Sequence, residues 1–222
     1  MSITTERRER AFREAVSVKQ FIEQAEVNKQ TLESNFDAYQ LSEQDLAFFT
    51  GLEEPIDVLV LAHDWCGDVV ANLPLFGKIE QETGKLKVRV LNRDPDNTDI
   101  AAAYPHSDSR SHIPTYVFFN RAGEELGVFI ERPDSITELL NEWKETFWNE
   151  HPEYDGRGKA ISALDDEAKK GLLRYLKQQR SQVLETEKAA ILREIQSIVA
   201  GEIRPFREVG AGHFVACHDP AW

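Results

Sequence analysis

The chain has two thiols, Cys66 and Cys217, and their settings differ. Cys66 stands in Trp65-Cys66-Gly67-Asp68, between the apolar run Ile56–Ala62 and a helical pattern interrupted by Pro74. A thiol at the point where a strand hands over to a helix meets unpaired backbone N–H groups and the positive end of the helix dipole, both of which favour the thiolate. Asp64 and Asp68 oppose that effect, so the residues alone do not sign the net shift. The competing role for Cys66 is that of a small buried hydrophobe.

Other side chains could serve this thiol. His63 lies three residues before Cys66 and His112 two before Pro114, so each could stabilise a thiolate or move a proton, or simply form a polar rim. Arg93 and Arg110 read as solvated surface that could bring positive charge nearby. Towards the C-terminus, His213, Cys217, His218 and Asp219 have ligand chemistry, but their spacing matches no familiar zinc pattern. No metal and no cofactor is expected. The Gly-Lys pairs at 77–78 and 84–85 lack the glycines and hydroxyl of a phosphate loop.

Composition bounds the setting. At 222 residues, 41% apolar and 29% charged, the chain reads as globular and long enough to bury a core. A net charge of −13 argues against a nucleic-acid binder. No run approaches the roughly 18 apolar residues of a membrane span, and the N-terminus lacks the apolar stretch of a signal peptide. A cytoplasmic protein is expected, and two cysteines are too few for a disulfide scaffold.

The elements that must position the thiol follow from periodicity. Residues 6–28 read as one amphipathic helix and 31–52 as a second helical region, with Ser42 and Asp45 as a cap. Ile56–Ala62 is a buried strand, Asp68–Gln81 a helix ended by Gly84, and Lys85–Asn92 a second strand. A short helix over Asn97–Tyr104 and a polar loop over His106–His112 lead to strands Tyr116–Asn120 and Leu126–Ile130, paired as a hairpin. Ser135 should cap a helix running to Asn149, and 150–163 form a linker. Asp165–Ala200 carries an apolar stripe broken by the polar stretch Lys177–Gln182, which leaves a bent helix, a helical hairpin and one straight rod all open. That stripe is a candidate surface for self-association.

Three features at compatible positions resemble the thioredoxin superfamily: Trp65-Cys66-Gly67-Asp68 after an apolar strand, Pro74 eight residues past the cysteine, and Ile113-Pro114-Thr115 before the next strand. More narrowly they look like its bacterial thioredoxin-like branch with a Trp-Cys-Gly-Asp-Cys active site. The resemblance implies an α/β thioredoxin fold, a central mixed sheet flanked by helices, over 51–150. Residues 1–50 would be an N-terminal helical extension, and 151–222 a long helical extension with an irregular tail. It also implies that Cys66 is the nucleophile, that Trp65, Gly67 and Asp68 border the substrate, and that Pro114 faces the site through a cis bond. Ile113, with Thr115 beside it, would then pair with an extended substrate segment.

One position departs from the pattern. Val69 stands where the family has its resolving cysteine, so the usual dithiol cycle is closed to this chain. A small thiol or a substrate cysteine could resolve the mixed disulfide, Cys217 could do so with Cα atoms within about 7 Å, or the protein could bind clients or sense oxidation without turnover. The expected activity is monothiol exchange or redox sensing on protein or small-molecule thiols and disulfides. The alternative is a non-catalytic thioredoxin-fold module that holds a protein partner.

Overall fold

A computed structural model of the chain describes residues 2–201. Thr4 caps the first helix, α1 (Thr5–Glu14), which ends in extended backbone at Ala15. The chain then adds a two-residue strand, β1 (Val16–Ser17), before α2 (Val18–Gln24). The expected single helix over 6–28 is thus two helices and a strand. Ser17 and Gln20 form a capping box that starts α2, and Val16 pairs with Val90 at the sheet edge. Two more helices, α3 (Lys29–Ala38) and α4 (Glu43–Thr50), follow, the latter opened by the predicted Ser42–Asp45 capping box.

The centre is β2 (Ile56–Ala62), α5 (Gly67–Thr83), β3 (Leu86–Asn92), α6 (Thr98–Ala103), β4 (Thr115–Phe119) and β5 (Glu125–Ile130). The five strands lie in the order β1-β3-β2-β4-β5. β2 and β3 are parallel, and the other neighbours are antiparallel. Val58, Leu59, Val60 and Leu61 are all fully buried, which is why β2 reads as a continuous apolar run rather than an alternating one. Register sets Val60 beside Val90 and Tyr116, and Tyr116 beside Phe129. Phe76 of α5 stacks on Tyr116 at 3.9 Å, joining helix to sheet. Gly84, at φ +65°, closes α5 in the left-handed conformation that glycine adopts freely.

The second large helix, α7 (Asp134–Glu150), has its N-cap at Pro133 rather than Ser135. The Pro133 carbonyl accepts from the N–H groups of Ile136 and Thr137, and the Ser135 side chain is exposed, with no capping role. A 3₁₀ turn at Ile161–Ala163 leads to α8 (Asp166–Ser181) and α9 (Leu184–Val199), so the stripe over 165–200 breaks at Gln182–Val183. The halves serve different cores. Leu172 and Leu176 of α8 join Phe147 and Trp148 of α7 in a satellite cluster, while Ile191, Leu192 and Ile195 of α9 enter the main core beside β5. All five are buried, so the apolar face of the stripe is largely spent within the chain. Among the described residues no helix is long and apolar enough to cross a membrane.

The N-terminal helices belong to the same core, since Ala11, Val18, Phe21, Leu32 and Phe49 are buried in it. Gly77 of α5 marks how closely they dock: a Cβ there would sit 2.8 Å from Val18 Cγ1 and 2.9 Å from Phe36 Cε2. Glycine to alanine inside a helix ordinarily gains up to about 1 kcal/mol. Gly77→Ala is nevertheless expected to lose about 1–3 kcal/mol, the cost of overpacking, as a lower midpoint in urea unfolding. A raised midpoint would mean that α2 and α3 are not seated against α5.

Candidate active site

Cys66 is the N-cap of α5; its N–H bonds the His63 carbonyl at 3.1 Å and its carbonyl receives the Val70 N–H at 3.0 Å. The residue has 0% exposure, and its thiol donates to the Ile113 carbonyl at 3.3 Å. The Ile113–Pro114 peptide is cis. The carbonyls flanking Ile113 are also engaged within the protein: His112 O accepts from the Thr115 hydroxyl at 2.7 Å and Pro114 O from the Glu131 N–H at 2.8 Å. Val69 is fully buried, so the position of the absent second cysteine is part of the core.

Around the thiol, each predicted modulator has a partner of its own. Trp65 is half-buried and stacks on His63 with ring centroids 5.3 Å apart. Burial holds His63 below the ordinary histidine pKa, which suits the ring nitrogen Nε2 as acceptor of the Asp94 N–H at 3.2 Å. Arg93 is buried, not solvated: it donates to Asp94 at 2.8 Å and to the Ser111 carbonyl at 3.3 Å. Asp64 caps backbone N–H groups of Glu26 and Val27 at 2.6 and 2.9 Å. Tyr116 is held as a neutral phenol by burial first, then by the nearby Cys66 and Asp68. The His112 ring is fully buried and faces Glu131 and Asp108. Arg110 stays exposed.

Asp68 is the surprise of the turn. It is 1% exposed and takes a two-pronged contact from Arg132, with Nε to Oδ1 at 2.7 Å and Nη2 on Oδ2. Arg180 of α8 adds a third contact at 2.8 Å and also holds buried Glu187 of α9, with Nε to Oε2 at 3.0 Å. Arg132 reaches Glu131 at 3.3 Å. Burial pulls Arg180 down, but the charges of Glu187 and Asp68 outweigh it and keep the guanidinium protonated. Sequence reasoning missed Arg132, Arg180, Glu187 and Glu131 because nothing local ties them to Asp68. The one available signal was the polar stretch Lys177–Gln182, whose Arg180 is buried although its neighbours are largely exposed.

A thioredoxin family profile matches residues 15–144. The chain belongs to the thioredoxin family. Two solved structures share the fold at 15% identity and a TM-score of 0.56: a protein of unknown function, PA1234, from Pseudomonas aeruginosa, and an HIV epitope scaffold. Each similarity covers 87% of this chain, and 96% and 97% of those chains respectively. No curated protein matches.

A cavity of about 410 Å³ opens beside the thioredoxin turn, between α3, the first turn of α5 and α8. Gly67, Val70 and Ala71 form one wall and Leu173, Arg174, Lys177 and Arg180 the other, with Asn28, Thr31 and Asn35 at the α3 side. Among the described residues no carboxylate lines it. Cys217, with His213, His218 and Asp219, lies outside the described residues.

The ion cluster under the thioredoxin turn has a measurable cost of removal. Arg180→Ala takes from Asp68 its contact at 2.8 Å and from Glu187 the guanidinium that holds it, and should destabilise the chain by about 3–5 kcal/mol, as breaking a buried pair does. Replacing both partners, Arg180→Met with Glu187→Leu, should lose clearly less in the same urea titration. A single variant within about 0.5 kcal/mol of wild type, the scatter of ordinary surface changes, would mean that the pair is hydrated.

Proposed function

We propose that this chain is a thioredoxin-fold binding module in which Cys66 is a covered thiol at rest, and that its ligand enters the cavity beside the active-site turn. The observation that carries this reading is that Cys66 has no accessible surface and commits its S–H to the Ile113 carbonyl. Disulfide exchange needs a thiolate that reaches a sulfur, and release needs a second thiol. Val69 supplies none within the turn.

The cavity's chemistry indicates what it takes. Arg174 and Lys177 are exposed at its rim, and no ion pair with a described residue engages either. In a chain of net charge −13, a rim to which the described residues bring cations and no carboxylate is a local reversal of sign. Val70, Ala71, Leu173 and Leu184 offer apolar surface beneath it. The fitting ligand is an amphipathic anion, its apolar body on that floor and its charge at Arg174 and Lys177.

A second reading, monothiol exchange or redox sensing at Cys66, is favoured by the thiol's place at the N-terminus of α5 beside Pro114. It requires the Ile113 contact to open. A Cys217→Ser chain treated with an aromatic disulfide reagent separates the two. Under the binding-module reading Cys66 reacts only as fast as the chain unfolds, and the protein reduces no small disulfide. Native labelling at the rate of a free thiol, or turnover with a small thiol, favours the second reading and sinks the first. For the cavity, anilinonaphthalene sulfonate is the probe: Arg174→Glu with Lys177→Glu should weaken its binding at least about tenfold, or 1.4 kcal/mol. Unchanged affinity would remove the cavity as the anion site.

A further inference from the structure

In the polar loop His106–His112 the sequence marks His112 and Arg110 as neighbours that could serve the thiol, yet the loop folds three donor side chains together. His106, Asp108 and His112 place one nitrogen or oxygen each within 4.8 Å of one another. His106 Nδ1 is 3.8 Å from Asp108 Oδ1, and His112 Nε2 is 3.0 Å from both Asp108 oxygens. A tetrahedral zinc with bonds of about 2.0–2.1 Å spaces its donors about 3.3 Å apart, a value that these two separations bracket. His106 and Asp108 are partly open to solvent, with side chains 21% and 22% exposed, and rotation of the His106 ring would close the set.

We propose that His106, Asp108 and His112 form a binding site for a zinc-class divalent cation. Two imidazole nitrogens and one carboxylate suit such a metal, whereas magnesium and calcium take oxygen ligands. The backbone is already wound for chelation. His106 N–H bonds the Arg110 carbonyl at 2.7 Å, Ser109 N–H bonds the His106 carbonyl at 2.8 Å, and Arg110 N–H holds Asp108 Oδ1 at 3.0 Å. Close spacing of the donors in sequence keeps the entropy of closing this chelate small.

Behind the donors stands a support of the kind that metal histidines use. Glu131, 2% exposed, lies 2.8 Å from His112 Nδ1. A carboxylate this close to Nδ1 favours the tautomer protonated there and leaves the Nε2 lone pair for the metal. On binding, any proton on His112 Nε2 leaves to solvent and the metal takes its place between His112 and Asp108. Asp108 supplies a negative charge directly to the cation, and Glu131, shared with Arg132 at 3.3 Å, stands behind His112. Three protein ligands leave a fourth position for water or an incoming donor. The three ligands share no residue with the cavity lining, and none of them is Cys66.

Zinc titration calorimetry on the full chain tests it, in a background of His213→Ala, Cys217→Ser and His218→Ala that removes the tail's own donors. One zinc per chain should bind in that background. Adding His106→Ala or Asp108→Ala should weaken binding by at least about tenfold, since even loss of a supporting residue behind a metal ligand costs 10–100-fold. Far-UV circular dichroism checks that each variant is folded. Cobalt bound to the background chain gives a readout that needs no further variant: visible bands of a nitrogen and oxygen site without a thiolate charge-transfer band. No stoichiometric zinc in the background chain, a thiolate band, or unchanged affinity in a folded His106→Ala chain overturns the proposal.

Discussion

A carboxylate taken out of water at the start of α5 has to be compensated, and much of this structure follows from how Asp68 achieves it. An unpaired buried charge costs several kcal/mol, and its pairing is worthwhile only when the geometry satisfies the remaining donors. Asp68 draws one arginine from the residues just after β5 and another from α8, and the second arginine is balanced by Glu187 of α9. Asp68 and Glu187 are thus met by Arg132 and Arg180, and Arg132 is shared with Glu131. The thioredoxin domain and its C-terminal extension are therefore joined by charge as well as by apolar burial, and α8 and α9 each supply a member that the other needs.

That join bears directly on the thiol. Asp68 would oppose a thiolate at Cys66 if its charge were bare, but Arg132 and Arg180 neutralise it. The same contacts fix the first turn of α5 between β5 and α8, with Cys66 and Val69 buried on its inner side. Electrostatics thus removes one obstacle to thiol chemistry while packing imposes another. Local stability and chemical accessibility compete at such a site, because an element that opens must be drawn from the less stable parts of a structure.

Much of this was legible in the residues. β2, α5 and β3 could be placed to within a residue or two because a buried strand, a glycine C-cap and an alternating strand leave distinct patterns, and the motif around Cys66 pointed to the fold. The failures have physical causes. β1 is too short for any period to show, although the Ser17–Gln20 capping box was in plain view. α7 begins one residue before Ser135 because the carbonyl of Pro133 takes the first helical N–H groups. Arg93, Arg132 and Arg180 were invisible as interior residues, since burial of a charge depends on a partner far away in sequence. His112 stands out in the sequence for its nearness to Pro114, whereas His106 and Asp108 read as ordinary loop residues, because only the folded loop brings them beside it.

The contacts made by Asp68 do not stop at the helices. Arg180 touches Asp68, Asp68 touches Arg132, Arg132 touches Glu131, Glu131 touches His112, and His112 touches Asp108, so one file of charges runs from the wall of the cavity to the loop before Pro114. The members between the two ends are almost entirely buried, and in a low dielectric each charge sets the cost of its neighbour. An anion at the Arg174 and Lys177 rim and a cation at the His106 loop would act on opposite ends of that file with opposite sign. Cys66 lies beside its middle, on the helix turn that Asp68 anchors. The turn that carries the thiol is therefore the place where the two ends meet electrostatically, whichever chemistry the thiol itself performs.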